Sequence, residues 1–129
     1  MTDEQLNWFV NLQNNLYKED GADLCDIIYS TLSKDKMSYI SFIKRASEGH
    51  GFSPSEGCGY ALDQDWDNPE EFDEVSFMFG DYDSSTLSPK RFVELMQVIS
   101  DAYIDAHPND KRSVESYMIK LRERYSSFN

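Results

Sequence analysis

Residues 73–79 read DEVSFMF and residues 88–106 read SPKRFVELMQVISDAYIDA. In the first segment, Val75, Phe77 and Phe79 alternate with side chains that face the other way, which is the period of a strand with one buried face. The second segment begins with a serine and a proline, a pair typical of a helix N-terminus, and its apolar residues recur at helical spacing. A strand followed by a long amphipathic helix predicts a mixed α+β fold.

The first third of the chain, residues 1–46, is predicted to be helical. Apolar side chains recur at helical spacing in three stretches, residues 3–17, 24–32 and 40–46. Gly49 follows the third stretch, at the position where a helix C-cap prefers glycine. Four glycines and Pro54 fall between residues 49 and 59, which excludes a continuous helix there. A short strand is predicted at residues 60–62.

The residues after the strand at 73–79 complete the predicted fold. Thr86 and Leu87 are expected to form a further short strand, and Pro108 ends the long helix. Asn109 is expected to cap a last helix that turns its apolar side chains inward. The predicted fold class is therefore α+β, with N-terminal helices, a small antiparallel β-sheet in the middle and two C-terminal helices, in a single domain over residues 1–129.

The composition and net charge disfavour proteins that bind nucleic acids or span membranes. The chain has 129 residues, 40% of them hydrophobic, with 24 acidic and 12 basic residues and a formal net charge of −12. Nucleic acids and anionic membranes repel such a chain, and no apolar run approaches the ~20 residues that a membrane helix needs. The two cysteines, Cys25 and Cys58, are too few for a disulfide scaffold, which favours a reduced, cytosolic protein. A basic protein is the expected partner.

Nearly all of the net charge lies in the middle third of the chain. Residues 46–89 contain eleven acids and no Lys or Arg, whereas the segments on either side are close to neutral. Folded surfaces usually mix both signs, because like charges packed closely repel one another and destabilise the fold. A solvated acidic loop is the plain interpretation, and a surface that binds a basic partner is the functional one.

Aromatic side chains lie among these acids. Trp66 and Tyr82 are expected to be exposed, and exposed aromatic residues among charged ones are typical of interface hot spots. Carboxylates on such a surface can pair bidentately with arginines of a partner and accelerate encounter with a cationic protein. The predicted partner-binding residues are Asp63, Asp65, Trp66, Asp67, Glu70, Glu71, Asp73, Glu74, Asp81, Tyr82 and Asp83.

The same acids match part of a calcium-binding loop. With Asp63 as the first position, acids fall at EF-hand positions 1, 3, 5, 9 and 12, the last of which is Glu74. The sixth position, where the loop needs glycine, is Asn68, and the flanking segments are predicted as strands rather than helices. A calcium-binding or regulatory module that uses the Asp63–Glu74 loop is the second hypothesis. The sequence predicts no resident metal and no cofactor.

Catalysis is not indicated by the sequence. A Cys–His pair needs a cation or a helix N-terminus near the thiol, whereas the residues around Cys58 are acidic. His50 and His107 are the only histidines, and His107 is expected to cap the end of the long helix. Paired carboxylates are abundant, but a loop of neighbouring acids gives no sign that one carboxyl is desolvated while another stays ionised. The chain is therefore predicted not to be an enzyme.

Three stretches of the sequence resemble a known family. They read FDEVSFMFGD at residues 72–81, LSPKRF at residues 87–92 and DAYIDAHPNDK at residues 101–111. Together they resemble bacterial contact-dependent growth inhibition (CDI) immunity proteins, more narrowly those that neutralise ribonuclease toxins. The resemblance covers residues 72–124 and consists of a strand–helix–helix pattern with a His-Pro stop, without a catalytic signature.

The resemblance implies a small cytosolic inhibitor held by the bacterium that makes the toxin. It would bind the C-terminal nuclease domain of its cognate toxin as a monomer, in a 1:1 complex. Because a ribonuclease active site attracts phosphates, a folded acidic surface can occlude its cationic cleft. Binding at an exosite beside the active site is the other interpretation.

Overall fold

The computed structural model describes residues 6–16, 20–80 and 82–128, and for residues 82–84 it describes the backbone alone. Three helices come first, α1 (Asn7–Leu16), α2 (Ala22–Ser33) and α3 (Tyr39–Ser47). Four strands follow, β1 (Phe52–Ser55), β2 (Cys58–Ala61), β3 (Val75–Phe79) and β4 (Tyr82–Leu87). Two helices end the fold, α4 (Pro89–Ala106) and α5 (Lys111–Arg124). The predicted α+β class and its order of elements are confirmed.

The four strands form one antiparallel meander in the order β1-β2-β3-β4. The alternation predicted for β3 is confirmed, since Val75 and Phe77 are buried while Met78 is 54% exposed. Tyr60 lies opposite Phe77 on the neighbouring strand and is buried on the same face. One face of the sheet therefore packs on the helices, and the other face carries the exposed side chain of Met78.

Aromatic rings join the sheet to the helices. The ring of Tyr60 in β2 lies 5.5 Å from that of Phe42 in α3, 5.9 Å from that of Phe77 in β3 and 5.7 Å from that of Phe92 in α4, measured between centroids. Such pairs add to the free energy gained from burying the rings. A single hydrophobic cluster continues from this junction and includes residues of all five helices and of β2, β3 and β4.

The start of α4 and the end of α3 match their predictions. The side chain of Ser88 accepts a hydrogen bond from the backbone N–H of Arg91, which makes it the N-cap of α4, and Pro89 takes the first helical position. Gly49 follows α3 with a φ of +88°, a conformation that favours glycine. His107 is the C-cap residue of α4, and its Nδ1 lies 3.1 Å from the backbone oxygen of Tyr103.

Two parts of the prediction differ from the structure, and a third lies partly outside the described residues. Asn109 was predicted to cap the last helix, but α5 begins at Lys111 after a 3₁₀ turn, Pro108–Asp110, and shows no side-chain cap. The strand β1 was not predicted because it contains Pro54; it lies at the edge of the sheet, where a missing N–H is tolerated. The predicted first helix includes residues 3–5 and 17, which lie outside the described residues.

A buried hydrogen bond joins α3 to α4. The hydroxyl oxygens of Tyr39 and Ser100 lie 2.8 Å apart, and both residues are fully buried. The ring of Tyr39 also stacks on that of Tyr103, with centroids 4.8 Å apart. Since a buried hydroxyl without a partner is costly, each of these two hydroxyls depends on the other.

We expect Tyr39→Phe to lower the free energy of unfolding by about 1–3 kcal/mol, because it leaves the Ser100 hydroxyl unpaired in the core. Urea denaturation at neutral pH measures this loss. The double variant with Ser100→Ala removes both partners and should lose less than the sum of the two single variants. Strictly additive losses would show that the hydrogen bond is not the cause.

Candidate functional site

The acidic segment predicted to bind a partner connects β2 to β3. We call residues 63–74 the acidic loop; it contains seven carboxylates and no basic residue. Two 3₁₀ turns shape it, Asp63–Asp65 and Pro69–Glu71. Such a connection would be destabilised by repulsion among its own charges unless parts of it are held by the rest of the chain.

Asp63 is bound by residues at the end of α5. Arg124 donates to its carboxylate from Nη2 at 2.6 Å and from Nε at 3.0 Å, and the hydroxyl of Tyr125 donates at 2.7 Å. The side chains of Asp63 and Arg124 are only 15% and 29% exposed. A bidentate, partly buried pair of this kind is stronger than an exposed ion pair. Asp63 therefore fastens the beginning of the acidic loop to α5.

The guanidinium of Arg124 reaches Asp63 across Gly49. A Cβ atom at residue 49 would collide with the Arg124 side chain, and the φ of +88° at this position also disfavours other residues. The backbone oxygen of Gly49 accepts a 2.9 Å hydrogen bond from the N–H of Gln64, next to Asp63. The glycine after α3 therefore has a second function, which is to admit Arg124 to the acidic loop.

The contacts of Asp63 change its acidity. Burial acts to raise the pKa of the carboxyl, but hydrogen bonds from Arg124, Tyr125 and Gln64, together with the charge of Arg124, outweigh burial and lower the pKa to about 2. Burial and the hydrogen bond to Asp63 raise the pKa of Tyr125 well above its ordinary value. Asp63 therefore stays ionised and Tyr125 stays a donor at neutral pH.

Asp65 is held by backbone groups. Its Oδ2 accepts hydrogen bonds from the N–H of Gly51 at 2.7 Å and from the N–H of Leu62 at 2.9 Å. Arg45 donates to the backbone oxygen of Gly51 from Nη2 at 3.0 Å, and His50 lies 3.5 Å from the other carboxylate oxygen. Asp65 thus joins the end of β2 to the segment that leads into β1.

Phe72 holds the far part of the acidic loop. It is buried, and its ring lies 5.6 Å from that of Tyr125 and 5.8 Å from that of Phe128. Trp66 packs edge-on against Phe72 at 5.5 Å and is half-buried, so it is less exposed than the sequence suggested. One face of the Trp66 side chain therefore supports the loop, and the remainder is open to solvent.

The other acids of the loop face solvent. Five carboxylates are exposed, and within the described part of the chain none of them has an ion-pair or hydrogen-bond partner: Asp67, Glu70, Glu71, Asp73 and Glu74. Of the remaining predicted binding residues, Asp81 and the side chains of Tyr82 and Asp83 lie outside the described residues. The structure thus separates two anchoring acids, Asp63 and Asp65, from five free ones.

The geometry does not favour a metal centre in the acidic loop. The loop is flanked by strands, and the first carboxylate of the calcium pattern, Asp63, is bound to Arg124. Over residues 6–16, 20–80 and 82–128, no group of three or more His, Cys, Asp or Glu side chains is placed to hold a metal ion.

Among these same described residues, no helix is long and apolar enough to cross a membrane.

The residues that organise the loop were not found from the sequence. Arg124 and Tyr125 lie 61 and 62 residues from Asp63, and nothing in the local pattern pairs them with it. The sequence placed Gly49 correctly as a helix terminus, but not as the position that admits Arg124.

We expect Asp63→Asn to destabilise the protein in a pH-dependent way. The folded pKa of Asp63 is about 2, below the ~4 of an unfolded Asp. Its stabilising contribution is therefore complete above pH ~4 and is lost as the pH falls from ~4 to ~2. At pH 7 the variant should lose about 1–3 kcal/mol of unfolding free energy.

Urea denaturation of the parent and the variant between pH 2.5 and 7 measures this effect. Glu71→Gln is the matched control, because it removes one exposed carboxylate of the same loop that has no hydrogen-bond or ion-pair partner among the described residues. The difference for Asp63→Asn should shrink toward low pH, and the control should show little difference throughout. A loss for Asp63→Asn that is equally large at pH 2.5 and 7 would contradict the role of its charge.

Comparison with known proteins places this chain in a family. A family model described as CDI immunity protein matches residues 14–118, which is most of the chain and runs from α1 through the acidic loop into α5. No curated protein and no solved structure matches the chain. The family match agrees with the resemblance seen in the strand β3 and the two C-terminal helices. The chain therefore belongs to the family of contact-dependent growth inhibition immunity proteins, and its partner is a cognate toxin.

Proposed function

We propose that this chain is a one-domain immunity protein that binds a cationic nuclease domain, of the ribonuclease class, at the C-terminus of its cognate toxin. The acidic loop lies across the cleft that would otherwise receive the phosphates of RNA. The observation that carries this proposal is a set of five exposed carboxylates that no described residue neutralises: Asp67, Glu70, Glu71, Asp73 and Glu74.

The electrostatics of the two partners are complementary in this arrangement. A site that binds RNA presents Lys and Arg side chains to phosphate oxygens. Carboxylates offer the same arginines a bidentate acceptor, and a concentrated negative field speeds the encounter. The toxin then loses access to its substrate through occlusion, and no catalytic step on the part of the immunity protein is required.

The anchoring of the loop favours tight binding. Asp63, Asp65 and Phe72 hold the loop at three points along its length. The free acids between and beside these points are thus presented in one arrangement before the partner arrives. Binding then loses less conformational entropy than it would with a mobile acidic segment.

The remaining features of the proposed function follow from the family and the charge. We place the protein in the cytoplasm of the toxin-producing bacterium, as a monomer that binds one toxin domain. A net charge of −12 disfavours self-association and binding to nucleic acid.

Reversal of four exposed acids tests the proposal. We expect the combined substitutions Asp67→Lys, Glu70→Lys, Glu71→Lys and Asp73→Lys to weaken binding by about tenfold or more at physiological salt, without loss of folding. The probe is the C-terminal domain of the cognate toxin, and calorimetry measures the dissociation constant. The affinity of the parent protein should fall steeply with added salt.

A control with the same net charge separates a local contact from a general effect of charge. Reversal of Glu48, Asp105, Glu115 and Glu123 also alters four exposed acids, which lie outside the acidic loop. This control should keep most of the affinity and should still inhibit RNA cleavage by the toxin domain. If both quadruple variants bind equally well, the acidic loop is not the contact surface.

A further inference from the structure

One face of the sheet is covered by none of the helices that the structure describes. We call this the outer face; its side chains alternate with the buried ones, and it consists of Ser53, Gly59, Ala61, Ser76, Met78 and Thr86. In the register of the strands, Met78 lies opposite Gly59, and Ser76 lies opposite Ala61 on one side and Thr86 on the other. Among the side chains that the structure describes, the outer face is therefore a platform of small residues from which one large apolar side chain, that of Met78, projects.

Met78 is unusual among the exposed residues. It is 54% exposed, and of the four large apolar side chains that the described residues expose, it alone belongs to the segment without Lys or Arg. The other three are Val10, Val98 and Ile119, and they lie on helices. A flexible thioether among small neighbours can adapt its shape to an incoming side chain.

A depression lies beside Met78, between the outer face and the acidic loop. It is shallow and open to solvent, with a volume of about 520 Å³, and its lining includes Phe52, Ala61 and Met78 together with the charged residues Asp65 and Arg45. The guanidinium of Arg45 is engaged by the backbone oxygen of Gly51 and lies 5.8 Å from the centre of the Phe52 ring. Asp65 is the same residue that anchors the loop, so the depression and the loop are adjacent.

The chemistry of this region fits a basic partner with an apolar anchor. The outer face and the acidic loop together belong to residues 46–89, which contain eleven acids and no Lys or Arg. Interface hot spots are typically large side chains that enter a pocket at the centre of a surface, with charged groups at the rim. Here the depression and Met78 supply the apolar centre, and Arg45 and the anchored Asp65 lie at its edge. The free carboxylates belong to the adjoining acidic loop.

We propose that the outer face is the docking platform for the cationic toxin domain, and that an apolar side chain of that domain, flanked by basic residues, enters the depression against Met78. This inference rests on the proposed function and extends it, because the acidic loop then forms one border of the contact rather than its centre. Specificity for one toxin arises from the fit of the apolar anchor, and the speed of association arises from the charge.

A substitution that adds negative charge tests this inference. If the carboxylate field alone attracts the toxin domain, Met78→Glu should bind as tightly as the parent or more tightly. If the apolar anchor of the toxin domain packs against Met78, the same substitution should weaken binding by about tenfold or more, because it places a charge in a desolvated contact. Ile119→Glu is the matched control, since Ile119 is 47% exposed and lies on α5; its affinity should remain within about twofold.

The probe is the same toxin domain, and calorimetry gives the dissociation constants. Met78→Gln, which keeps the length of the side chain without a charge, provides a second variant if Met78→Glu folds poorly; it should also weaken binding, by a smaller factor. Light scattering of the free proteins shows whether the platform is instead covered by a second copy of this chain.

The outcomes separate this inference from the proposed function. Weakened binding by the Met78 variants, with the Ile119 control unaffected, supports the platform. Undiminished binding by Met78→Glu, while the quadruple reversal in the acidic loop still weakens it, overturns the platform and leaves the proposed function intact. A parent protein that is a dimer, and becomes a monomer on Met78→Glu, also overturns it. Failure of the parent to bind the toxin domain removes the proposed function itself.

Discussion

The pairing of Asp63 with Arg124 and Tyr125 is the interaction on which the arrangement of this molecule depends. It joins the connection between β2 and β3 to the end of α5, and it provides a cation to a segment that has none of its own. A buried carboxylate is costly unless it is paired and hydrogen-bonded, and here the guanidinium and the phenol satisfy both requirements. Gly49 makes the contact possible by leaving space for the guanidinium.

The acids of the loop divide into two groups with opposite effects on stability. The carboxylates of Asp63 and Asp65 accept hydrogen bonds from other segments of the chain and stabilise the loop. The five free acids repel one another, and repulsion of this kind is tolerated in a fold when a binding partner relieves it. The proposed binding to a cationic toxin domain uses this imbalance, because in that proposal the charges that weaken the free protein strengthen the complex.

The prediction of the fold succeeded where a local rule decides the structure. The alternation of Val75, Phe77 and Met78 required a strand with one buried face, and Ser88 with Pro89 required a helix start, since both patterns depend on near neighbours in the chain. It failed where the tertiary setting decides. A proline is compatible with β1 only because this strand is at the edge of the sheet. The residue before α5 is Asp110 rather than the predicted cap Asn109, and its carboxylate accepts a hydrogen bond from Tyr103 instead of capping the helix.

The sequence by itself determined the sign and the location of the charge, the order of N-terminal helices, central sheet and C-terminal helices, and the family resemblance. Only the tertiary structure decided which acids remain available, because Arg124 lies 61 residues from Asp63 and meets it only when α5 packs beside α3. The same holds for Met78. The alternation of side chains along β3 predicted that Met78 points away from the core. Its 54% exposure depends on the absence of any described helix over that face of the sheet. Charge and periodicity are properties of neighbouring residues, whereas counterions and coverage depend on how distant segments pack.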